Sequence, residues 1–205
     1  MGEVTVNMFV TLDGVVQAPG GPSEDVEGGF EHGGWQAPYL DEESGGVMFE
    51  DMAHVDALLL GRKTYEIFAA YWPQAPEEIP FTALLNNAPK YVASRTLESV
   101  EWNNSNLIQG EIANEVPRLK EQYGKIHVSG SADLVQTLLR HDLVDQLNLW
   151  VYPVVLGTGK KLFADGAVPA ALELLESATF GKGTVLLRYR RAGSPTYGNL
   201  AADAH

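Results

Sequence analysis

Three short apolar runs in this 205-residue chain end in the same way. Leu58-Leu59-Leu60 runs into Gly61-Arg62-Lys63-Thr64, Tyr91-Val92-Ala93 into Ser94-Arg95-Thr96, and Ile126-His127-Val128 into Ser129-Gly130-Ser131. A strand that stops and hands over to a helix exposes free N–H groups at the positive end of a helix dipole, which attracts anions. Gly61 and Gly130 would let the backbone approach a phosphate, while Thr64 and Ser131 would each place a hydroxyl at a helix start. Arg95 would add a forked, permanently charged donor for a terminal phosphate. Taken singly, each junction reads more simply as a turn glycine, an ordinary cap and a solvated arginine. Three in one chain point to a nucleotide.

Asp13 closes the first alternating run, where a carboxyl group could orient a ligand or relay a proton. Asp13-Gly14 is equally an ordinary turn pair. Trp35 and Tyr39 could stack on a flat substrate as part of a lid, or anchor their loop to the core, the preferred reading. Tyr65 and Glu66 face either a substrate or the core and solvent. Other chemistries are set aside. Gly157-Thr158-Gly159-Lys160-Lys161 lacks the earlier glycine and the Ser/Thr of a P-loop, and Leu162 replaces the last glycine of a Rossmann fingerprint. His32, His54, His127, His141 and His205 have no metal-ligand spacing, so no metal is expected. No Gly-x-Ser-x-Gly elbow supports a serine hydrolase.

The elements that must carry these turns alternate. Val4 to Leu12 has strand period, and Gln17 to Gly46 reads as a long loop rich in Gly, Pro and acidic residues. Helix is predicted over Val47 to Val55, strand over Ala57 to Leu60, helix over Thr64 to Ala70 and Phe81 to Leu85, and strands over Lys90 to Ala93 and Asn106 to Gln109. An amphipathic helix over Glu111 to Tyr123 precedes a strand over Lys125 to Ser129. The helix Ala132 to Arg140 carries Leu134, Val135, Leu138 and Leu139 on one face, with Ser131 placed to cap it. Gln146 to Val155 is strongly β, and Ser177 to Phe180 with Thr184 to Tyr189 predicts a closing hairpin about Gly181-Lys182-Gly183. The expected fold is α/β, a mixed and mostly parallel sheet with helices on both faces and a C-terminal antiparallel hairpin. Residues 1–192 are expected to form one domain and residues 193–205 a disordered or surface-lying tail.

Composition limits the partners. A net charge of -13 opposes nucleic-acid binding, although a local basic spot could still hold a small anionic cofactor. The absence of cysteine removes disulfides and thiolate chemistry, and no signal segment or membrane span is evident, so a soluble cytoplasmic protein is expected.

Five motifs in order resemble a known family: Thr11-Leu12-Asp13-Gly14, Gly61-Arg62-Lys63-Thr64-Tyr65, Ser94-Arg95-Thr96, Gly130-Ser131-Ala132-Asp133-Leu134 and Pro153-Val154-Val155-Leu156-Gly157-Thr158-Gly159. Over about Val4 to Arg190 the chain is similar to dihydrofolate reductase-like reductases, and more narrowly to the reductase domain of bifunctional riboflavin-biosynthesis enzymes and its stand-alone relatives. The resemblance implies an NADPH-dependent reductase of a small flat heterocycle, 5-amino-6-(5-phosphoribosylamino)uracil reductase-like or dihydrofolate reductase-like. It implies that Gly61, Arg62, Lys63 and Thr64 with Gly130, Ser131, Ala132 and Leu134 line the dinucleotide phosphates. Ser94, Arg95 and Thr96 would hold the 2′-phosphate of NADPH, and Leu156 and Gly157 would complete the groove. Asp13 would lie nearest the chemistry, with Trp35 and Tyr65 as substrate contacts.

Departures bear on the substrate. The riboflavin-pathway reductases carry lysines around the first motif, where this chain has Asn7 and Val15. They follow the glycine-threonine turn with Asp-Pro-Leu and an arginine for ribose phosphate, where this chain has Glu66-Ile67-Phe68-Ala69-Ala70-Tyr71-Trp72. No His-x-Glu with Pro-Cys-x-x-Cys is present, so the partner deaminase is not expected within this chain. A more apolar pocket is expected. The alternative function is a nucleotide-binding regulatory module without catalysis. A homodimer is suggested by the resemblance, with Leu147 to Val151 either at its interface or simply a buried central strand.

Overall fold

Alternation in the first segment sends Val4, Val6 and Met8 into one buried cluster and Asn7 and Phe9 to the opposite face, which makes β1 (Glu3–Thr11) a strand covered on both sides. The computed structural model describes residues 1–199. The other strands are β2 (Ala57–Gly61), β3 (Lys90–Ala93), β4 (Ser105–Ile108), β5 (Lys125–Ser129), β6 (Gln146–Tyr152), β7 (Leu172–Thr179) and β8 (Val185–Arg191). They form one eight-stranded sheet in the order β4-β3-β2-β5-β1-β6-β8-β7. The first six in that order are mutually parallel, and β8 and β7 close the sheet as an antiparallel hairpin. Helices α1 (Glu42–Ala53), α2 (Arg62–Tyr71), α3 (Pro80–Asn87), α4 (Ile112–Gln122) and α5 (Ala132–Arg140) alternate with the strands. This is the expected mixed α/β fold.

One sheet face packs Val6, Leu59, Ile126, Val128 and Leu147 against Val116 and Leu119 of α4 and Leu134, Val135 and Leu138 of α5. The opposite face divides into two apolar clusters. One gathers Trp35, Trp150, Tyr152 and Phe180, and the other Leu58, Leu60, Tyr65, Val92 and Trp102.

Several boundaries differ from the reading by pattern. α1 begins at Glu42, not Val47, because Asp41 accepts from the Ser44 N–H at 2.8 Å while the Ser44 hydroxyl accepts from the Asp41 N–H at 3.2 Å. This reciprocal cap carries the helix through Gly45-Gly46, residues that composition assigned to loop. β6 stops at Tyr152 because Pro153 has no N–H to continue the ladder. Leu147 and Trp150 are buried between β1 and β8, so this strand is central and offers no interface. β7 extends back to Leu172, where it does not alternate, and it is held as an edge strand by pairing with β8. The long loop contains two 3₁₀ turns, Glu27–Gly29 and Ala37–Tyr39. In the tail, residues 194–199 have no regular structure, and residues 200–205 lie outside the described residues. Among the described residues no helix is long and apolar enough to cross a membrane, and no group of metal-ligating side chains occurs.

Candidate functional site

Because β3, β2, β5, β1 and β6 are adjacent and parallel, their carboxyl ends meet at one sheet edge, and the segments that follow them meet there too. The tightest junction lies between β2 and β5. The Gly61 N–H donates to the Ser131 hydroxyl at 2.8 Å, and that hydroxyl donates to Thr64 Oγ1 at 2.7 Å. A Cβ on Gly61 would lie 2.8 Å from Ser131 Oγ and 2.9 Å from Ser131 Cβ, so only glycine fits. Gly130 has φ +62, and a Cβ there would meet the Thr64 hydroxyl at 3.2 Å. Ser131 begins α5 but does not cap it with its side chain, contrary to expectation. Its backbone is left-handed (φ 61°), which turns the hydroxyl across to Gly61 and Thr64. The unpaired N–H groups of the first turn of α2 begin at this junction. Ala132 opens α5, and Leu134 is buried 3.6 Å from where a Gly61 Cβ would lie.

Gly61 is in register with Ala93, so Ser94 and Arg95 leave the sheet beside the start of α2. The Ser94 hydroxyl accepts from the N–H groups of Thr96 at 3.2 Å and Leu97 at 3.0 Å, which fixes the turn. Arg95 is exposed at its tip and makes no ion pair among the described residues. Its neighbours are engaged. Arg62 pairs with Glu66 at 3.0 Å, and Lys63 lies 3.7 Å from Asp25.

Asp25 comes from the long loop and is buried. It also accepts from Lys160 at 2.8 Å, which in turn meets Glu27 at 2.7 Å. Burial alone would raise the Asp25 carboxyl, but the Lys160 hydrogen bond and the nearby Lys63 charge hold it below its ordinary value. Gln17 completes the seat by donating to the carbonyls of Asp25 at 3.1 Å and Glu27 at 3.0 Å. These ionic ties were not anticipated, since an acid in an acidic loop carries no signal of its partner.

Asp13 makes a different set of bonds. Thr11 Oγ1 donates to it at 2.6 Å, and the N–H groups of Leu156 and Gly157 donate at 3.2 Å and 2.7 Å. The Thr11 hydroxyl is the main cause that lowers its pKa to about 2, with the two N–H groups acting in the same direction against desolvation. The carboxylate thus ties the end of β1 to the segment after β6. Its stabilising contribution is complete above the unfolded value of 3.8 and is lost as pH falls through about 2. Asp13→Asn is therefore expected to lower the melting temperature at pH 7 and to remove part of the acid limb of the wild-type stability curve between pH 4 and 2. Superimposable acid unfolding curves would refute that role.

Two of the aromatic candidates are turned inward, and Tyr39 is half-buried. Trp35 is buried, donates its indole N–H to the Gln17 carbonyl at 2.8 Å and packs edge-on to Tyr152 with centroids 5.5 Å apart. It anchors the loop. Tyr65 is buried as well, and its hydroxyl accepts from the N–H groups of Glu101 at 2.9 Å and Trp102 at 3.1 Å. A large surface hollow of about 970 Å³, lined by Gly2, His54, Asp56, Lys120 and Lys125 among others, opens at the amino ends of the strands, away from the converging turns.

The sheet order, the helices that alternate with its strands and the strand-end turns gathered at one edge make a fold of the dihydrofolate reductase type. Within it the chain belongs to the RibD C-terminal domain family, whose family model matches residues 3–186. It is 31% identical over 194 residues to the uncharacterized protein YyaP of Bacillus subtilis (strain 168), covering 93% of this chain and 95% of the relative. A solved protein ascribed to riboflavin biosynthesis, from Shewanella sp. PV-4, superposes with a TM-score of 0.71 at 19% identity, covering 92% of this chain and 98% of the other. Dihydrofolate reductase from Enterococcus faecalis, solved with NADP(H), gives a TM-score of 0.57 at 15% identity over 93% of this chain and 97% of its own. At these identities the two structures speak for the fold alone.

Proposed function

We propose that this protein is an NADPH-dependent reductase of a small, flat heterocyclic substrate of pyrimidine or pterin type. The observation that carries the reading is the junction of Gly61, Thr64, Gly130 and Ser131, which holds the start of α2 against the Gly130 turn, with Arg95, free of ion pairs among the described residues, on the neighbouring strand end. A pyrophosphate suits such a junction because the N–H groups of a helix start lack backbone partners and attract anions. Arg95 would take the 2′-phosphate, the group that distinguishes NADPH from NADH. The family membership and the NADP(H) complex of the Enterococcus faecalis enzyme point the same way.

When bound, NADPH would supply a hydride. The chain's own residues do the rest. Gly61, Lys63, Thr64, Gly130 and Ser131 would bind the phosphates, with Ala132 and Leu134 behind them, and Ser94 and Thr96 would fix the turn that presents Arg95. Arg62 would contribute the remaining charge at the helix start. Leu156 and Gly157 would line the groove in a position set by Asp13. In this reading Asp13 is a positioning residue, because both carboxylate oxygens are taken by donors and the group stays ionised at neutral pH. Trp35 and Tyr65 would shape the pocket from behind, through the loop and through α2.

Arg95→Ala is expected to weaken NADPH binding by about 10- to 100-fold, the equivalent of losing one or two charge-assisted hydrogen bonds. NADH binding should change by less than about twofold. Fluorescence titration with both cofactors makes the comparison, and equal losses for the two would remove Arg95 from this role. Turnover is tested by NADPH oxidation in the presence of pterins, pyrimidines and quinones. Binding of NADPH without oxidation under any of them would leave a nucleotide-binding module.

A further inference from the structure

The loop that precedes α1 is held by packing on either side of a short segment and by charge within it. On one side, a Cβ on Gly33 would stand 2.5 Å from the Gly21 carbonyl oxygen and 2.7 Å from that of Pro22, so the backbones are in close contact. On the other, Phe30 and Trp35 are buried with Trp150 and Tyr152. Between them, segment 23–29 buries one residue only, and it is Asp25, 7% exposed. Its one large apolar side chain, Val26, is 60% exposed. Apart from Gln17, which holds the Asp25 and Glu27 carbonyls, ionic contacts fasten this segment to the rest of the molecule.

Asp25 joins two elements that the sheet keeps apart. Lys63 lies in the first turn of α2, after β2, and Lys160 in the segment after β6, and β5 and β1 stand between those strands. A segment tied to both spans the carboxyl ends of β5 and β1, where the Gly130 turn opens. The two ties are unequal. Asp25 Oδ2 accepts from Lys160 at 2.8 Å and Oδ1 from the Glu27 N–H at 3.1 Å, whereas Lys63 approaches Oδ1 only to 3.7 Å, outside hydrogen-bond reach. Lys63 is drawn there by charge and keeps its N–H groups for another acceptor. With Glu27 on Lys160 at 2.7 Å, two carboxylates face two ammonium groups.

An anion at Lys63 upsets this balance. Its oxygens would take the ammonium at ordinary hydrogen-bond distance, a stronger contact than that of Asp25, and would set a like charge within about 7 Å of the Asp25 carboxylate. Lys160 would then be the one ammonium left for both Asp25 and Glu27. No apolar contact compensates within the segment, and Gly28 and Gly29, left-handed at φ 70° and 75° with open space around them, let its far end turn.

We propose that segment 23–29 is a strap latched across the dinucleotide groove by Asp25, and that a phosphate bound at Lys63 releases it. Coupling is reciprocal, so the latch opposes the phosphate by the factor by which the phosphate loosens the latch. Asp25 is thus a competitor built into the chain, and it sets how tightly the groove holds its cofactor. The proposal rests on the reductase reading for the identity of the anion, but not for the latch.

The test is amide hydrogen exchange of the full chain, read by mass spectrometry on peptides that cover 23–29, with and without saturating inorganic pyrophosphate. Pyrophosphate should speed exchange of the strap by about fivefold or more and leave β1 and β5 no faster. Asp25→Asn should exchange as fast without the anion and respond no further to it, and it should bind NADPH about three- to tenfold more tightly than wild type. Lys63→Gln should make the strap indifferent to pyrophosphate. A wild-type strap whose exchange is unchanged or slowed by pyrophosphate would overturn the proposal, and so would measurable NADPH binding that Asp25→Asn fails to tighten. If pyrophosphate opens the strap while NADPH binds neither protein, the nucleotide reading fails and the latch stands.

Discussion

Replacing Lys90 with methionine is expected to lower the unfolding free energy by about 3 kcal/mol, read as a lower denaturant midpoint at an unchanged slope. Lys90 opens β3 and is fully buried. Its ammonium donates to the carbonyls of Asn86 at 3.1 Å, Ala88 at 2.8 Å and Asn103 at 2.8 Å, and sits 4.2 Å from the centroid of Trp102. Asn86 and Ala88 close α3, so the charge meets the negative end of a helix that has no other basic residue in its last turn. Burial pushes the Lys90 pKa down to about 8, but three carbonyls and the ring face all favour the charged form, and the ammonium persists at neutral pH. Methionine keeps the volume and the apolar stem. The cost is thus three carbonyls deprived of their donor rather than a cavity. A loss under about 0.5 kcal/mol would mean that these bonds only offset the desolvation of the charge.

Lys90 also shows how far a single sequence can be read. The run Lys90-Tyr91-Val92-Ala93 is legible as a strand because its apolar centre and its flanks are local features. That its first residue would bury a charge under α3 depends on Asn86 and Asn103, which no periodicity links to it. The same division holds at the site. Gly61 and Gly130 were legible as turn glycines, because the demand for space or for a left-handed backbone falls on one residue. The partners were not, because Ser131 lies 67 residues from Thr64, and Asp13 lies 144 from Gly157. Ser131 illustrates the failure most clearly: a serine before an amphipathic helix reads as a cap, and only its φ of 61° shows that the hydroxyl serves a neighbouring strand.

Boundaries failed where local preference gave way to pairing. Gly45-Gly46 argued against helix, and the cap that overrode them used a serine at the third position instead of the usual Glu or Gln. β7 does not alternate, so nothing in its own pattern announced a strand before β8 imposed one. Asn7, His127 and Asn148 stand singly in three different strands. Their side chains meet only because β5, β1 and β6 are neighbours.

The Gly61 junction offers the sharpest test of whether this geometry carries the function. Gly61→Ala is expected to cost about 2 kcal/mol of stability and to weaken NADPH binding by about 30-fold. The backbone of Gly61 is ordinary for any residue (φ −76°, ψ 162°), so the obstacle is space alone. A Cβ would stand 2.9 Å from Ser131 Cβ, an atom that cannot swing away by rotating its own side chain. Either α5 retreats or β2 shifts, and each movement parts the helix start at α2 from the Gly130 turn. Adding Ser131→Gly removes the obstruction, and glycine suits the left-handed backbone at that position. The double variant should therefore recover most of the lost stability, with a coupling of about 1 kcal/mol or more in the four-member cycle. Binding should return only in part, since the hydroxyl that orders Gly61 and Thr64 is gone. Denaturant unfolding and fluorescence titration with NADPH on all four proteins decide the matter: additive effects would mean that the two strand ends are not packed against each other, and full return of binding would mean that the Ser131 hydroxyl is dispensable to the groove.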